Sequence, residues 1–214
     1  MNRDTSTIFA PATPVGESSI TVIRISGADS LDIISKCFSK SKTELNAVRL
    51  SEFDSHTAHH GYLFEEKTII DEVVITVFKN PHSYTGDDVI EISAHGGSYI
   101  YRKISRLLVN LGCKHAEPGE FSKRAFLNGK IDLAQAEAIS DLIKAKTDLA
   151  SRAALSQLKG ELSNKIKNLK EELINYCSLV ELELDFSEEG LEVIEKQHLT
   201  RQIDNIIQNI PKYK

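Results

Sequence analysis

Tryptophan is absent from this 214-residue chain, and there are only one methionine, three cysteines, five prolines and eleven glycines. So little proline and glycine excludes a collagen-like chain. Cys37, Cys113 and Cys177 are odd in number, far apart and without C-x-x-C spacing. That argues against a disulfide framework or a zinc knuckle and fits a reducing cytosol. No apolar run approaches the roughly 20 residues of a membrane span. Met1-Asn2-Arg3-Asp4-Thr5 leads into no apolar stretch of the signal-peptide kind. Bases are in the minority, 26 Lys and Arg against 31 Asp and Glu, for a net charge of −5 at pH 7. Coating of nucleic acid by charge alone is excluded, although a local basic patch is not. Also missing is a phosphate-binding loop. The only Gly-Lys pair, Gly129-Lys130, is followed by Ile131 and has no glycine at the earlier required position, and no G-x-G-x-x-G occurs.

What is present describes a globular chain. Hydrophobic residues make up 41% and charged residues 27%, enough to bury a core without covalent staples. The length suits one large domain or two small ones. Up to about Pro118, strand and helix signals alternate. Thr7–Ala10, Ser19–Ile25, His59–Phe64, Ile69–Phe78 and Asp88–Ser93 read as strands. Glu65-Glu66-Lys67 reads as a hairpin turn. Asp29 is placed to cap a helix carrying Leu31, Ile33, Ile34 and Phe38. A second helix spans Ser98 to Leu111 and stops at Gly112. Beyond Pro118 only helices are predicted: Phe121–Leu127, Leu133–Ala145 and one long ladder from Leu155 to Leu184. An interruption at Phe186–Gly190 precedes a last helix with Leu199, Ile203, Ile206, Ile207 and Ile210. Helices of such length need partners, so this part belongs to a bundle. The fold class is α+β: an N-terminal α/β domain over residues 1–118, then part of an all-α bundle over 119–214.

Several residues could carry chemistry. Arg24 and Glu91 each sit inside a strand between apolar neighbours, where a charge is rare unless paired. One reading is a structural ion pair between strands. The other is a pocket floor on which a carboxylate accepts two parallel hydrogen bonds from the N–H and NH₂ edge of a pterin or guanine. His95-Gly96-Gly97 joins a strand to a helix, where a ligand can approach the backbone. Thr13–Ser19 is a hydroxyl-rich connection that reads first as a plain turn. Pro81–Asp88 is a polar loop with Tyr84 at its centre. His59 and His60 point to opposite faces of a strand and make poor chelators. The acidic stretch from Glu181 to Glu195 reads as a solvated surface. From these features two functions stay open: a small-molecule-binding or transferase domain, and a non-catalytic structural or interaction module that dimerises through its sheet edge or helices.

A family resemblance narrows the choice. Asp4-Thr5, Ile8, Ala10, Ala12-Thr13-Pro14 and Gly16, followed by Ile23-Arg24-Ile25-Ser26-Gly27, resemble the start of the MnmE (TrmE) family of tRNA-modification GTPases. Ser83-Tyr84-Thr85-Gly86-Asp87-Asp88-Val89-Ile90-Glu91-Ile92 with His95-Gly96-Gly97, and the ungapped run from Glu117 to Ala138, are similar to the same family. The likeness covers residues 4 to about 190. It implies a cytoplasmic homodimer with an N-terminal folate-binding domain, similar in fold to the folate-dependent aminomethyltransferases. It implies a helical domain interrupted by a G domain that hydrolyses GTP with Mg²⁺ and K⁺. With the flavoprotein MnmG, in an expected heterotetramer, the family adds a carboxymethylaminomethyl group to C5 of the wobble uridine (position 34) of certain tRNAs. The implied cofactor of this part is 5-formyltetrahydrofolate or a related tetrahydrofolate. Its implied contacts are Arg24, Glu91 and Lys130, with His95, Gly96 and Gly97 at the rim. No catalytic or metal-binding residue of the G domain can be placed on this chain, which is expected to be a fragment without GTPase activity. None of the three cysteines takes the role of the family's C-terminal cysteine. Dimerisation is expected through the N-terminal domain, with the β-rich first residues as an edge strand.

Overall fold

The computed structural model describes residues 6–46 and 48–187, together with 200, 201, 203, 204 and 207. The chain divides into two units, one up to Ile131 and one from Asp132 onward. The fold class is mixed α+β, as the sequence indicates.

In the first unit, β1 (Ile8–Pro11) and β2 (Ile20–Ser26) lead into α1 (Ser30–Ser35) and β3 (Phe38–Ser39). After a turn of 3₁₀-helix at Leu50–Glu52 come β4 (Thr57–Glu65), β5 (Thr68–Phe78) and β6 (Val89–His95). Helix α2 (Ser98–Asn110), β7 (Lys114–His115) and α3 (Glu120–Leu127) complete it. The sheet runs β3-β4-β5-β6-β2-β1-β7. Its pairings are antiparallel except β1 with β7.

Alternation decides which face is buried. Ile23 and Ile25 of β2, Ile75 and Val77 of β5, and Ile90, Ile92 and Ala94 of β6 form one core with Leu31, Ile33 and Ile34 of α1 and Ile104, Leu107 and Leu108 of α2. Their neighbours in sequence emerge on the other face, among them Ile20, Val22 and Arg24 of β2 and Glu91, Ser93 and His95 of β6. Ile23 pairs with Ile92, and this register sets Arg24 directly opposite Glu91 on the open face.

Three sequence expectations change here. Strand β1 is no free edge, because β2 flanks it on one side and β7 pairs with Ile8 and Phe9 on the other. The outermost strands are β3 and β7, each two residues long. Phe38 leaves the helix it was assigned to and pairs with Leu63 in the sheet, since α1 ends at Ser35. The units divide after α3 rather than at Pro118. The reason is packing: Ala125 and Arg124 of α3 are buried, and Arg124 Nη1 donates to the Ser6 carbonyl at 2.7 Å.

The second unit holds α4 (Leu133–Lys144), α5 (Asp148–Leu158) and α6 (Glu161–Ser187). Asp132 and Gln135 form a reciprocal capping box at the start of α4, and Thr147 caps α5. Gln135 and Gln157 tie α4 to α5 through the carbonyls of Leu158 and Ala134. The long ladder from Leu155 is two helices, not one. Gly160 takes a left-handed φ of 80° between them, a conformation that ends a helix and that a periodic apolar pattern does not record. Helix α6 is 27 residues long, about 40 Å. It runs past the expected break at Phe186 to Ser187. Glu188 to Gly190 lie outside the described residues, as do Leu199, Ile206 and Ile210 of the last predicted helix; Ile203 and Ile207 are helical.

Candidate functional site

In the first unit a charged pair spans β2 and β6 on the open face of the sheet. Arg24 Nε donates to Glu91 Oε1 at 2.8 Å, and Nη2 lies 2.7 Å from the same oxygen. Both contacts fall on Oε1, so the pair does not use Oε2. The side chains keep 29% and 25% of their exposure, so the carboxylate is desolvated on the sheet side yet reachable from the open face.

Aromatic rings flank the guanidinium. Its carbon lies 5.0 Å from the ring centre of Tyr84 and 5.9 Å from that of Phe121, within cation–π range. Tyr84 belongs to the loop between β5 and β6, and Phe121 to the first turn of α3. The Tyr84 hydroxyl meets Ser122 Oγ at 2.9 Å.

That loop is pinned along its length. Asn128 Nδ2 donates to the Thr85 carbonyl at 2.8 Å, and Lys130 Nζ donates to the Pro81 carbonyl at 2.9 Å. Thr85 is fully buried, with its hydroxyl 2.7 Å from that of Ser26. Gly86 has φ 84°, and a side chain there would meet Asn128 Cβ at 3.0 Å and Lys130 Cγ at 3.2 Å. The loop therefore needs a glycine at this position on two counts.

The structure brings Arg24 and Glu91 together and sets Lys130 against the neighbouring loop. It holds His95 apart from them. His95 follows Glu91 on the same face of β6, four residues or roughly 13 Å along the strand. Asp71 engages it twice, accepting from its backbone N–H at 2.8 Å and bonding Nδ1 at 2.7 Å. The hydrogen bond that the ring donates to Asp71, then the charge of Asp71, raise the His95 pKa above the ordinary histidine value. Gly96 packs on the backbone of Ser18, where a Cβ would stand 1.8 Å from the carbonyl oxygen. Gly97 has φ 112° and precedes α2. All three have a structural task at that end of β6.

Other sequence candidates have local roles. Thr13 Oγ1 accepts the backbone N–H of Val22 at 3.0 Å, which makes Thr13–Ser19 a braced connection. His59 contacts Thr57 and His60 contacts Glu72, with no shared ligand between them. Among the described residues no cluster suits a metal ion. Burial pushes the thiols of Cys37 up to about 12 and Cys113 up to about 11, so both stay protonated and unreactive. Sequence reasoning missed Phe121, Ser122 and Asn128. A helix periodicity shows that Phe121 is apolar but not which strand it faces.

Comparisons with known proteins agree with this layout. A family model described as the GTP-binding protein TrmE N-terminus matches residues 7–130, and one described as the MnmE helical domain matches 133–214. The junction between the two matches coincides with the division between the units. The chain is 46% identical over 199 residues to the tRNA modification GTPase MnmE of Chlorobaculum tepidum, covering 93% of this chain and 41% of the relative. Proteins of the same name from Flavobacterium johnsoniae and Aquifex aeolicus are each 45% identical over 206 and 204 residues, covering 96% and 95% of this chain and 43% and 44% of theirs. The chain spans less than half the length of these curated relatives. Among the described residues no helix is long and apolar enough to cross a membrane.

Proposed function

The chain belongs to the MnmE (TrmE) family, and from that premise we propose that it supplies the tetrahydrofolate-binding part of a GTP-hydrolysing tRNA-modification protein. The observation that carries this reading is the half-buried Arg24–Glu91 pair on the open sheet face, with aromatic rings beside it. A pterin edge presents adjacent N–H and NH₂ donors, and a fixed carboxylate is the complementary acceptor. Arg24 holds Glu91 in one orientation through its two contacts with Oε1. Lys130 has ammonium protons beyond the one given to Pro81, available to a carboxylate or a polar ring atom. Bound there, a tetrahydrofolate would supply a one-carbon unit.

In the whole protein this part would serve the addition of a carboxymethylaminomethyl group to the wobble uridine of certain tRNAs. The proposed assembly is a cytoplasmic homodimer working with the flavoprotein MnmG. GTP, Mg²⁺ and K⁺ would act in a G domain, since these 214 residues contain no P-loop. The chain alone is expected to show no GTP turnover above buffer in a preparation free of contaminating GTPase.

The test is calorimetry with 5-formyltetrahydrofolate on the wild type and Glu91→Gln. The substitution removes a charge and replaces one acceptor by a donor. It should weaken binding about tenfold to a hundredfold. If Glu91→Gln folds and binds as tightly as wild type, the pair is a structural ion pair and the reading fails.

A further inference from the structure

Glu91 explains recognition of a ring edge but not of a ring face. The open face of the sheet offers mostly small or aliphatic side chains near it, such as Thr76 opposite Glu91 on β5 and Ala10 opposite Arg24 on β1. The face contacts must come from the loop and helix beside the sheet. Two rings are present there, and they differ. Phe121 is half-buried and 5.9 Å from the guanidinium. Tyr84 is closer, at 5.0 Å, and is the more exposed at 36%. A loop aromatic with that exposure normally swings free. Tyr84 does not, because its hydroxyl is bonded to Ser122, and because the loop on either side is held by Lys130 at Pro81 and by Asn128 at Thr85. The side chain is thus both reachable and fixed in orientation, which is how a binding surface differs from a packing residue.

We propose that Tyr84 is a specificity-determining residue of the Arg24–Glu91 site, providing an aromatic wall against which the flat ring of a bound pterin stacks. The inference rests on the folate reading above and adds a second criterion to it. Glu91 selects for the donor edge, and Tyr84 selects for planarity and π-surface. Ser122 adds only a secondary tether through the Tyr84 hydroxyl, the loop itself being held at Pro81 and Thr85. Lys130 and Asn128 act on the same wall from the loop's backbone, so part of the effect of any Lys130 substitution passes through Tyr84.

The experiment compares two ligands sharing the donor edge: folic acid, with a fully aromatic pterin, and 5-formyltetrahydrofolate, with a puckered reduced ring. Affinities for the intact chain are measured by calorimetry for wild type, Tyr84→Leu, Tyr84→Phe and Glu91→Gln. The absorption difference spectrum of bound folic acid is recorded in parallel. Loss of a stacked aromatic should cost about tenfold or more. Tyr84→Leu is therefore expected to weaken folic acid by that factor, to weaken 5-formyltetrahydrofolate less, and to diminish the spectral change. Tyr84→Phe keeps the ring and should recover most of both. A purely structural role would lower the two affinities equally. That outcome, or an unchanged affinity and spectrum in Tyr84→Leu, overturns the proposal while a loss in Glu91→Gln leaves the folate reading standing. A Tyr84→Phe variant as weak as Tyr84→Leu overturns it too, because the hydroxyl rather than the ring would then be responsible. If Glu91→Gln changes neither ligand, or wild type binds neither, the folate reading fails first and Tyr84 falls with it.

Discussion

The two units of this chain use apolar residues in opposite ways. In the first, Phe9, Ile23, Ile25, Ile75, Ile90, Ile92 and Ile104 are all completely buried. In the second, the buried hydrophobic side chains among the described residues are Ala138 and Ala154, while Leu133, Ile143, Leu149 and Leu184 are 62%, 79%, 80% and 62% exposed. A sheet with helices on one face buries its branched side chains within a single stretch of chain. A long helix buries only a stripe, and only where another helix lies on it. The first unit can therefore hold a site to fixed geometry, and the Arg24–Glu91 pair sits in the middle of the regular β2–β6 register.

The largest effect that tests this contrast is a truncation made in each unit. Ile92→Ala removes a fully buried side chain from the middle of the sheet. It should cost about 2–5 kcal/mol in a urea titration. Ile143→Ala, at a position 79% exposed, should change stability by no more than about 0.5 kcal/mol. If Ile143→Ala proves as costly as Ile92→Ala, the exposed faces of the second unit are covered in solution and the contrast is lost.

Much of the first unit was legible because its strands alternate cleanly. The turn at Glu65-Glu66-Lys67 and the segments before and after it became β4 and β5 with nearly the expected limits. Arg24 and Glu91 stood out because charges interrupt apolar runs, and the sheet register then supplied the pairing that one strand alone cannot reveal. What was not legible depends on contacts distant in sequence. Strands of two residues, such as β3 and β7, have no period to detect. Tyr84 could be noted as an aromatic in a polar loop, but its relation to Arg24 requires Ser122, Asn128 and Lys130, all far along the chain. In the second unit the apolar ladder was right about helix and wrong about continuity: Leu155 and Leu158 belong to α5 and the residues from Leu162 on to α6, because Gly160 breaks the backbone without breaking the pattern.

A smaller effect probes how the second unit maintains helices with so little burial. Local devices such as caps should carry an unusual share of its stability. Asp132 accepts the Gln135 N–H at 2.8 Å, and its carboxyl pKa is lowered, first by the Ser163 hydroxyl and then by that backbone bond. Asp132→Ala should cost about 1 kcal/mol, read as faster amide exchange in α4 with the sheet unaffected. A carboxylate with a depressed folded pKa stabilises above its unfolded value, near 3.9, and loses that contribution as pH falls through the folded value. The start of α4 should therefore loosen on acidification, and Asp132→Ala should remove part of that sensitivity. Equal loosening of wild type and variant over that range would show that the cap does not govern it.

The smallest effect belongs to the sheet and has the opposite sign. Asp71 raises the pKa of His95, with Glu72 adding to the effect and desolvation opposing it. A histidine that binds its proton more tightly in the folded state stabilises the fold below its unfolded pKa, near 6.5, where it is protonated in both states. The contribution disappears as pH rises through the higher folded value. His95 is well exposed, with its side chain at 69%, so solvent screening keeps the effect slight. Other groups titrate in the same range. Burial lowers the pKa of His59, which makes its contribution run the other way. The clean quantity is thus the difference between wild type and His95→Gln. That difference should favour wild type at mildly acidic pH and shrink above neutrality, and Asp71→Asn should abolish it. An NMR titration placing the His95 ring at or below the ordinary value, or a difference that does not vary with pH, would show that Asp71 only orients the end of β6 and does not stabilise the imidazolium.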